Sequence, residues 1–229
     1  MKVKFITIIG LLLLVQLKSI AQTNPVIEKV RQKLALVNDY VAEGVMKTDV
    51  SFIKASLGKV KVFYKKPNLI KVKKDGGISL LPKGGVSITM NSLLNTNQYI
   101  AIPSGKQVYN GKNLEVYKLV PTDDQLEWVI STLWIDPTES LVYKTFTTTK
   151  ENGSFEITME YGAYAAYGLP SKIIFGFNTK DYKLPNGITL EFGDEAPISK
   201  EKAKKNKKGT IEITYSKYTI NKGVSNASF

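Results

Sequence analysis

The sequence predicts a mainly β (α+β) fold: a strongly curved antiparallel sheet, an incomplete β-barrel of about ten or eleven strands, with an amino-terminal amphipathic helix covering its concave side. Three observations carry that expectation. Short runs rich in β-branched and aromatic residues recur between turn residues, many of these runs alternate apolar with polar positions, and one helical stripe stands ahead of them all. A sandwich hides its apolar faces between two sheets, whereas a curved open sheet needs something to plug its concave side, which is the place the helix suits.

The chain opens with Met1-Lys2-Val3-Lys4, an apolar run from Phe5 to Leu17, and the small residues Ser19 and Ala21, placed three and one positions before a cut. This predicts a signal peptide over 1–21, cleaved after Ala21, and a single domain over 22–229. The apolar run is shorter than the roughly 20 residues of a membrane span. A soluble, exported protein follows, and in a Gram-negative cell its compartment is the periplasm.

The 229 residues are 43% hydrophobic, ample for a full core. They include no cysteine and no histidine. That composition excludes a lipid-anchored amino terminus, disulfides, thiolate metal sites, the usual serine and cysteine nucleophile systems and histidine acid/base work. A carboxylate pair is the remaining catalytic option. Asp123 and Asp124 lie in a turn after Pro121, Asp136 precedes Pro137, and Glu156 and Glu160 read as a solvated strand face, with Glu191 and Glu195 further on. The pairs Gly76-Gly77 and Gly84-Gly85 lack a following helix and read as turns. No enzyme activity, cofactor or metal is expected.

The formal charge is +12, of which Lys2, Lys4 and Lys18 in the signal segment account for three, with no acid there, leaving +9 on the mature protein. Such a balance suits anionic surfaces. Lipid headgroups fit better than nucleic acid, because the aromatic residues alternate onto an apolar face and do not interleave with basic ones.

In chain order, Asn24 is a fair helix N-cap, Pro25 suits the first helical position and Glu28 the first turn. Val26, Val30, Leu34, Val37 and Val41 recur at helical spacing, opposite Lys29, Arg31, Lys33 and Asn38, and a strand is predicted from Val45 to Lys54. From Lys59 to Lys65 the chain alternates, with Val60, Val62 and Tyr64 on one face. Lys66-Pro67-Asn68 then turns it, and Ile70 and Val72 face inward on the return. Short strands are predicted at 78–81 and 86–90, a helical turn or loop at 92–97, and a strand from Tyr99 that ends at Pro103.

Leu114 to Val120 leads into the block that organises the chain. Its first run places Trp128, Ile130 and Trp134 on one face; its third places Phe155, Ile157, Met159 and Tyr161 opposite Glu156, Thr158 and Glu160; its fourth carries Phe175 and Phe177. Ile188, Leu190 and Phe192 alternate along a further strand, six lysines crowd a charged loop from Lys200 to Lys208, and Ile211, Ile213 and Tyr215 begin the last strand.

Several of these segments together resemble the periplasmic lipoprotein carrier LolA and its relatives, particularly members of Bacteroidota type. The hairpin Tyr-Lys-Lys-Pro-Asn-Leu-Ile-Lys-Val (Tyr64 to Val72), Trp-Val-Ile-Ser-Thr-Leu-Trp-Ile-Asp (Trp128 to Asp136), Leu-Pro-Ser-Lys-Ile-Ile-Phe (Leu169 to Phe175) and the closing Tyr-Thr-Ile-Asn-Lys-Gly (Tyr218 to Gly223) carry the likeness. The resemblance implies helices across the mouth of an unclosed barrel and a hydrophobic cavity that takes the acyl chains of lipoproteins or other lipids. It also implies a monomer, an inner-membrane release complex and an outer-membrane acceptor. Val62, Tyr64, Ile70, Val72, Trp128, Ile130, Trp134, Phe155, Ile157, Met159, Phe175 and Phe177 are the candidates for a cavity wall, and Val30, Leu34 and Val37 for a lid. These side chains either fill a core or line a pocket. Two other readings stand beside the carrier: a periplasmic regulator of the RseB type that binds a partner protein, and a structural or adhesive β-domain without a cavity.

Overall fold

The structure, a computed structural model, describes residues 24–49, 57–75, 90–94, 98–151, 153–178 and 208–229. The expected signal peptide, the strands expected at 78–81 and 188–192, all but the last residue of the strand expected at 86–90, and the lysine loop up to residue 207 lie outside these residues.

Helix α1 (Pro25–Ala35) begins as the sequence requires. The Asn24 side chain accepts hydrogen bonds from the backbone N–H groups of Val26 and Ile27 at 3.0 and 3.3 Å, satisfying two donors that have no partner inside the helix. Its buried face is Ile27, Val30 and Leu34, with Val37 buried just beyond its end. The expected stripe continues too far. Val26 is only half-buried, and Val41 belongs to strand β1 (Asp39–Asp49), which starts six residues earlier than expected because Leu36 to Asn38 already leave the helix.

β2 (Leu57–Lys65) and β3 (Leu69–Lys74) form the lysine-rich hairpin, whose turn contains a cis Lys66–Pro67 peptide. A short helix α2 (Met90–Leu94) follows, in place of the strand ending expected at Met90. Strand β4 (Tyr99–Tyr109) runs through Pro103 instead of ending there. It lies at the edge of the sheet, where an absent N–H is tolerated, and its register slips between Pro103 and Lys106. The turn to β5 (Lys112–Pro121) is Asn110-Gly111, with φ of 49° and 75°, the left-handed pair that a two-residue hairpin favours. β6 (Trp128–Asp136), β7 (Leu141–Thr149), β8 (Ser154–Tyr161), β9 (Pro170–Asn178) and β10 (Lys208–Ile220) complete the sheet.

The strands form one antiparallel sheet in the order β3-β2-β1-β10-β9-β8-β7-β6-β5-β4. Among the described residues β3 and β4 are its two edges and do not pair with each other, so the curved sheet is an unclosed barrel. The final strand inserts between the first strand and β9, joining the amino-terminal hairpin to the six-strand meander. One apolar cluster unites the concave residues of the strands with Ile27, Val30 and Leu34 of α1 and Leu93 and Leu94 of α2. Both helices therefore lie on the concave side, and each fully buried aliphatic side chain there contributes about 1.5–3 kcal/mol of transfer free energy.

Candidate ligand-binding interior

The pleat decides which side chains face α1 and α2. From β3 to β9 the concave face carries Ile70 and Val72, then Val60, Val62 and Tyr64, Met46, Ile211 and Ile213, and Phe175 and Phe177. β8 adds Phe155, Ile157, Met159 and Tyr161, as its alternation predicts. Val62 pairs with Val72 and Tyr64 with Ile70, so the expected inward set of the hairpin is brought together.

β6 departs from the expected pattern. Trp128 is buried in the apolar cluster, but Ile130 and Trp134 are not on its face. The register slips between Trp128 and Ile130, which shifts the alternation by one residue, and Ser131, Leu133 and Ile135 become the inward set. Trp134 lies on the outer face, where its indole Nε1 donates to Gln107 Oε1 at 2.5 Å and the Lys144 ammonium sits 5.0 Å from the ring. Lys144 in turn pairs with Glu156 at 2.7 Å. Trp134 thus anchors an outer network and does not face the interior.

Two aromatic groups occupy the interior. Phe155, Phe175 and Phe177 pack with successive centroids 5.1 and 5.5 Å apart. Toward the other end of the strands Tyr218 is the hub: Tyr40, Tyr164 and Tyr215 lie 5.4, 4.9 and 5.1 Å from it, and Tyr64 stacks on Tyr40 at 5.1 Å. Tyr218 donates its hydroxyl hydrogen bond to Pro170 O at 2.8 Å, and Tyr161 donates to Val142 O at 2.7 Å. Burial pushes the pKa of Tyr40, Tyr161, Tyr215 and Tyr218 above the ordinary phenol value, and the neighbouring tyrosines add to the shift at Tyr40, Tyr161 and Tyr218. The tyrosine hub escapes sequence reasoning except at Tyr64, although Tyr218 lies in the closing segment that resembles the carriers. Leu93 and Leu94 also escape it, having no periodic run around them.

At the rim a small open cleft of about 10 Å³ lies between α1 and the β6–β7 turn. Val30, Leu34, Met90, Val142 and Tyr161 line it. Gly168 closes one side, in a left-handed conformation (φ 68°), where a Cβ would stand 3.2 Å from Leu34 Cδ2.

Of the carboxylates singled out in the sequence, Asp123, Asp136 and Glu160 serve the scaffold, while Glu191 and Glu195 lie outside the described residues. Asp123 accepts from the Gln125 backbone N–H at 2.8 Å, and Asp136 accepts from Thr138 and Glu139 at 2.9 and 3.0 Å. Glu160 pairs with Lys172 at 3.8 Å. Among the described residues no group of three or more carboxylates is arranged to hold a metal ion, and no helix is long and apolar enough to cross a membrane.

A half-open barrel with its apolar concave face under two helices is the architecture here, and comparison with solved structures shows a fold similar to that of LolA-like proteins. A LolA superfamily protein from Nitrosomonas europaea matches with a TM-score of 0.52 at 11% identity, over 89% of this chain and 95% of that one. An outer membrane lipoprotein-sorting protein domain from Vibrio parahaemolyticus matches at 0.50 and 13%, over 88% and 94%. A DUF1329 family protein from Desulfovibrio piger matches at 0.53 and 12%, over 90% and 98%. No family model and no curated protein matches the sequence.

Proposed function

We propose that this chain is an exported, periplasmic carrier that shelters the acyl chains of lipoproteins or other lipids between its concave face and helices α1 and α2. The observation that carries this reading is the largely apolar concave face, interrupted on β7 by buried threonines and covered by α1 and α2. The likeness of fold to a lipoprotein-sorting domain supports it. Each acyl methylene buried there contributes about 0.8 kcal/mol, so a chain of moderate length binds without polar help.

The carrier needs no catalysis, in keeping with carboxylates engaged in turns and ion pairs. Val30, Leu34 and Val37 act as the lid, with Val62, Tyr64, Ile70, Val72, Trp128, Phe155, Ile157, Met159, Phe175 and Phe177 as the wall. Lys59, Lys61 and Lys73 stand on the opposite face of the β2–β3 hairpin, where an anionic headgroup layer would meet them.

Native mass spectrometry of residues 22–229, purified without detergent from a lipid-containing host, tests the reading. A bound acyl species that organic extraction removes is the expected result. A clean protein mass that also ignores added lipid overturns it and favours a partner-binding protein.

A further inference from the structure

The concave face contains hydroxyl groups that its apolar role does not require. On β7 the inward residues Thr145, Thr147 and Thr149 are all buried, and the register sets them beside Leu133 and Ser131 of β6 and Ile157 and Phe155 of β8. Ser131 and Thr147 share a hydrogen bond of 2.8 Å, and Thr149 donates to Gly153 O at 2.8 Å. Thr145 differs: it is 0% exposed, and its Oγ1 has no hydrogen-bond partner. The same holds for Thr48 on β1, 1% exposed.

The register brings these two side chains into relation. Thr48 is paired with Ile211, Ile211 with Phe175, Phe175 with Ile157, and Ile157 with Thr145, so both lie on one transverse row of the concave face. Four strand spacings of about 4.8 Å put them roughly 19 Å apart along the sheet, and curvature brings them nearer across the interior. A buried hydroxyl without a partner destabilises the fold, whereas valine would occupy the same volume without that penalty. Two such groups on one row, flanking Phe175, are what an interior requires if its occupant brings hydrogen-bond acceptors with it.

We propose that Thr48 and Thr145 are polar anchors of the acyl-binding interior, each placed to donate a hydrogen bond to the carbonyl oxygen of an acyl ester or amide. The inference rests on the carrier reading and sharpens its ligand to neutral, esterified or amide-linked acyl chains. A free fatty carboxylate is disfavoured, because the side chains between the two threonines are Ile211, Phe175 and Ile157, and a charge buried there would lack a counter-ion. With α1 and α2 seated, solvent does not reach either hydroxyl, so the carbonyl arrives with its chain.

The test is displacement of N-phenyl-1-naphthylamine from the delipidated mature protein by methyl laurate, by ionised laurate and by dodecane. Wild type, Thr145→Val, Thr48→Val, the two combined and the control Thr147→Val are compared. Wild type is expected to take methyl laurate more tightly than laurate. Methyl laurate has one carbonyl and engages one threonine at a time, so the variant that removes the preferred threonine should weaken the ester, and Thr48→Val combined with Thr145→Val should weaken it about fivefold, the worth of one net hydrogen bond, with dodecane unchanged. Because the replacement is isosteric, each variant should melt at or above the wild-type temperature. Unchanged ester binding in the combined variant, or equal loss for ester and hydrocarbon, overturns the inference while leaving the carrier reading intact. A wild type that binds neither ester nor hydrocarbon overturns both.

Discussion

Asp39, the first residue of β1, holds the main chain of Gly223 just beyond the end of β10: its Oδ1 accepts from Gly223 N at 3.0 Å and from Lys222 N at 3.1 Å. Asn221 completes the junction, accepting from Asn38 N at 2.7 Å and donating to Leu36 O at 2.8 Å. The exit of α1, the start of β1 and the end of β10 are thereby fixed together. Asp39→Ala leaves two backbone donors without their acceptor and should lower stability by about 1–3 kcal/mol. Urea unfolding should show a lower midpoint at unchanged slope, with a smaller loss in Asp39→Asn, which keeps an acceptor.

Two glycines on the concave face differ in what a methyl group would strike. At Gly44, beside the register slip of β1 against β10, a Cβ would stand 2.3 Å from Thr214 O, which belongs to the main chain. At Gly209 it would stand 2.6 Å from Phe177 Cζ, in a side chain that can move. Gly209→Ala should cost about 1–3 kcal/mol through displacement of the ring, and Gly44→Ala should cost more. Thermal melts of the two variants check the order, and a milder Gly44→Ala would contradict the close strand approach.

The chain has two tryptophans in opposite environments: Trp128 is 3% exposed in the interior, and Trp134 belongs to the outer network. In Trp134→Phe, which leaves Trp128 as reporter, emission should be blue-shifted and should change when an acyl ligand enters. In Trp128→Phe, the remaining Trp134 should emit further to the red and stay nearly indifferent to ligand. A ligand response confined to Trp134 would place the occupant on the wrong face.

Alkaline stability follows from the tyrosine hub. In the folded protein Tyr40, Tyr161, Tyr215 and Tyr218 have pKa values raised above the ordinary phenol value of about 10, chiefly by burial. The folded state therefore holds protons that the unfolded chain releases near pH 10, so this contribution to stability is complete below pH 10 and falls as pH rises further. Absorbance at 295 nm should show fewer phenols ionising near pH 10 in the folded protein than in urea, with the rest appearing together as it unfolds. Full ionisation near pH 10 without unfolding would contradict the packing around Tyr218.

Much of the fold is legible in the residues themselves. The alternation in Phe155 to Tyr161, the capping by Asn24 and the inward set Val60, Val62 and Tyr64 each follow from local period or capping chemistry, and the structure reproduces them. What is not legible are the places where one strand slips past another. The face of Trp134 cannot be read from β6 alone, because the slips after Trp128 and before Ile135 belong to its pairing with β7. Pro103 reads as a strand end unless β4 is known to be an edge, and the hairpin signal Asn110-Gly111 then goes unused. The orphan hydroxyls of Thr48 and Thr145 are in ordinary strand sequence, and only the transverse register relates them.

The strand order also sets a timetable for assembly. β1 has two neighbours, β2 and β10, so the opening strands have no link to β4–β9 until β10, which ends at Ile220, has been made. Closing a loop of that length costs conformational entropy before any contact repays it, so the joining of the two parts of the sheet comes late. The strands β4 to β9 each pair with the next and can form as they are made, but they cannot be welded to the β1–β3 part until β10 arrives.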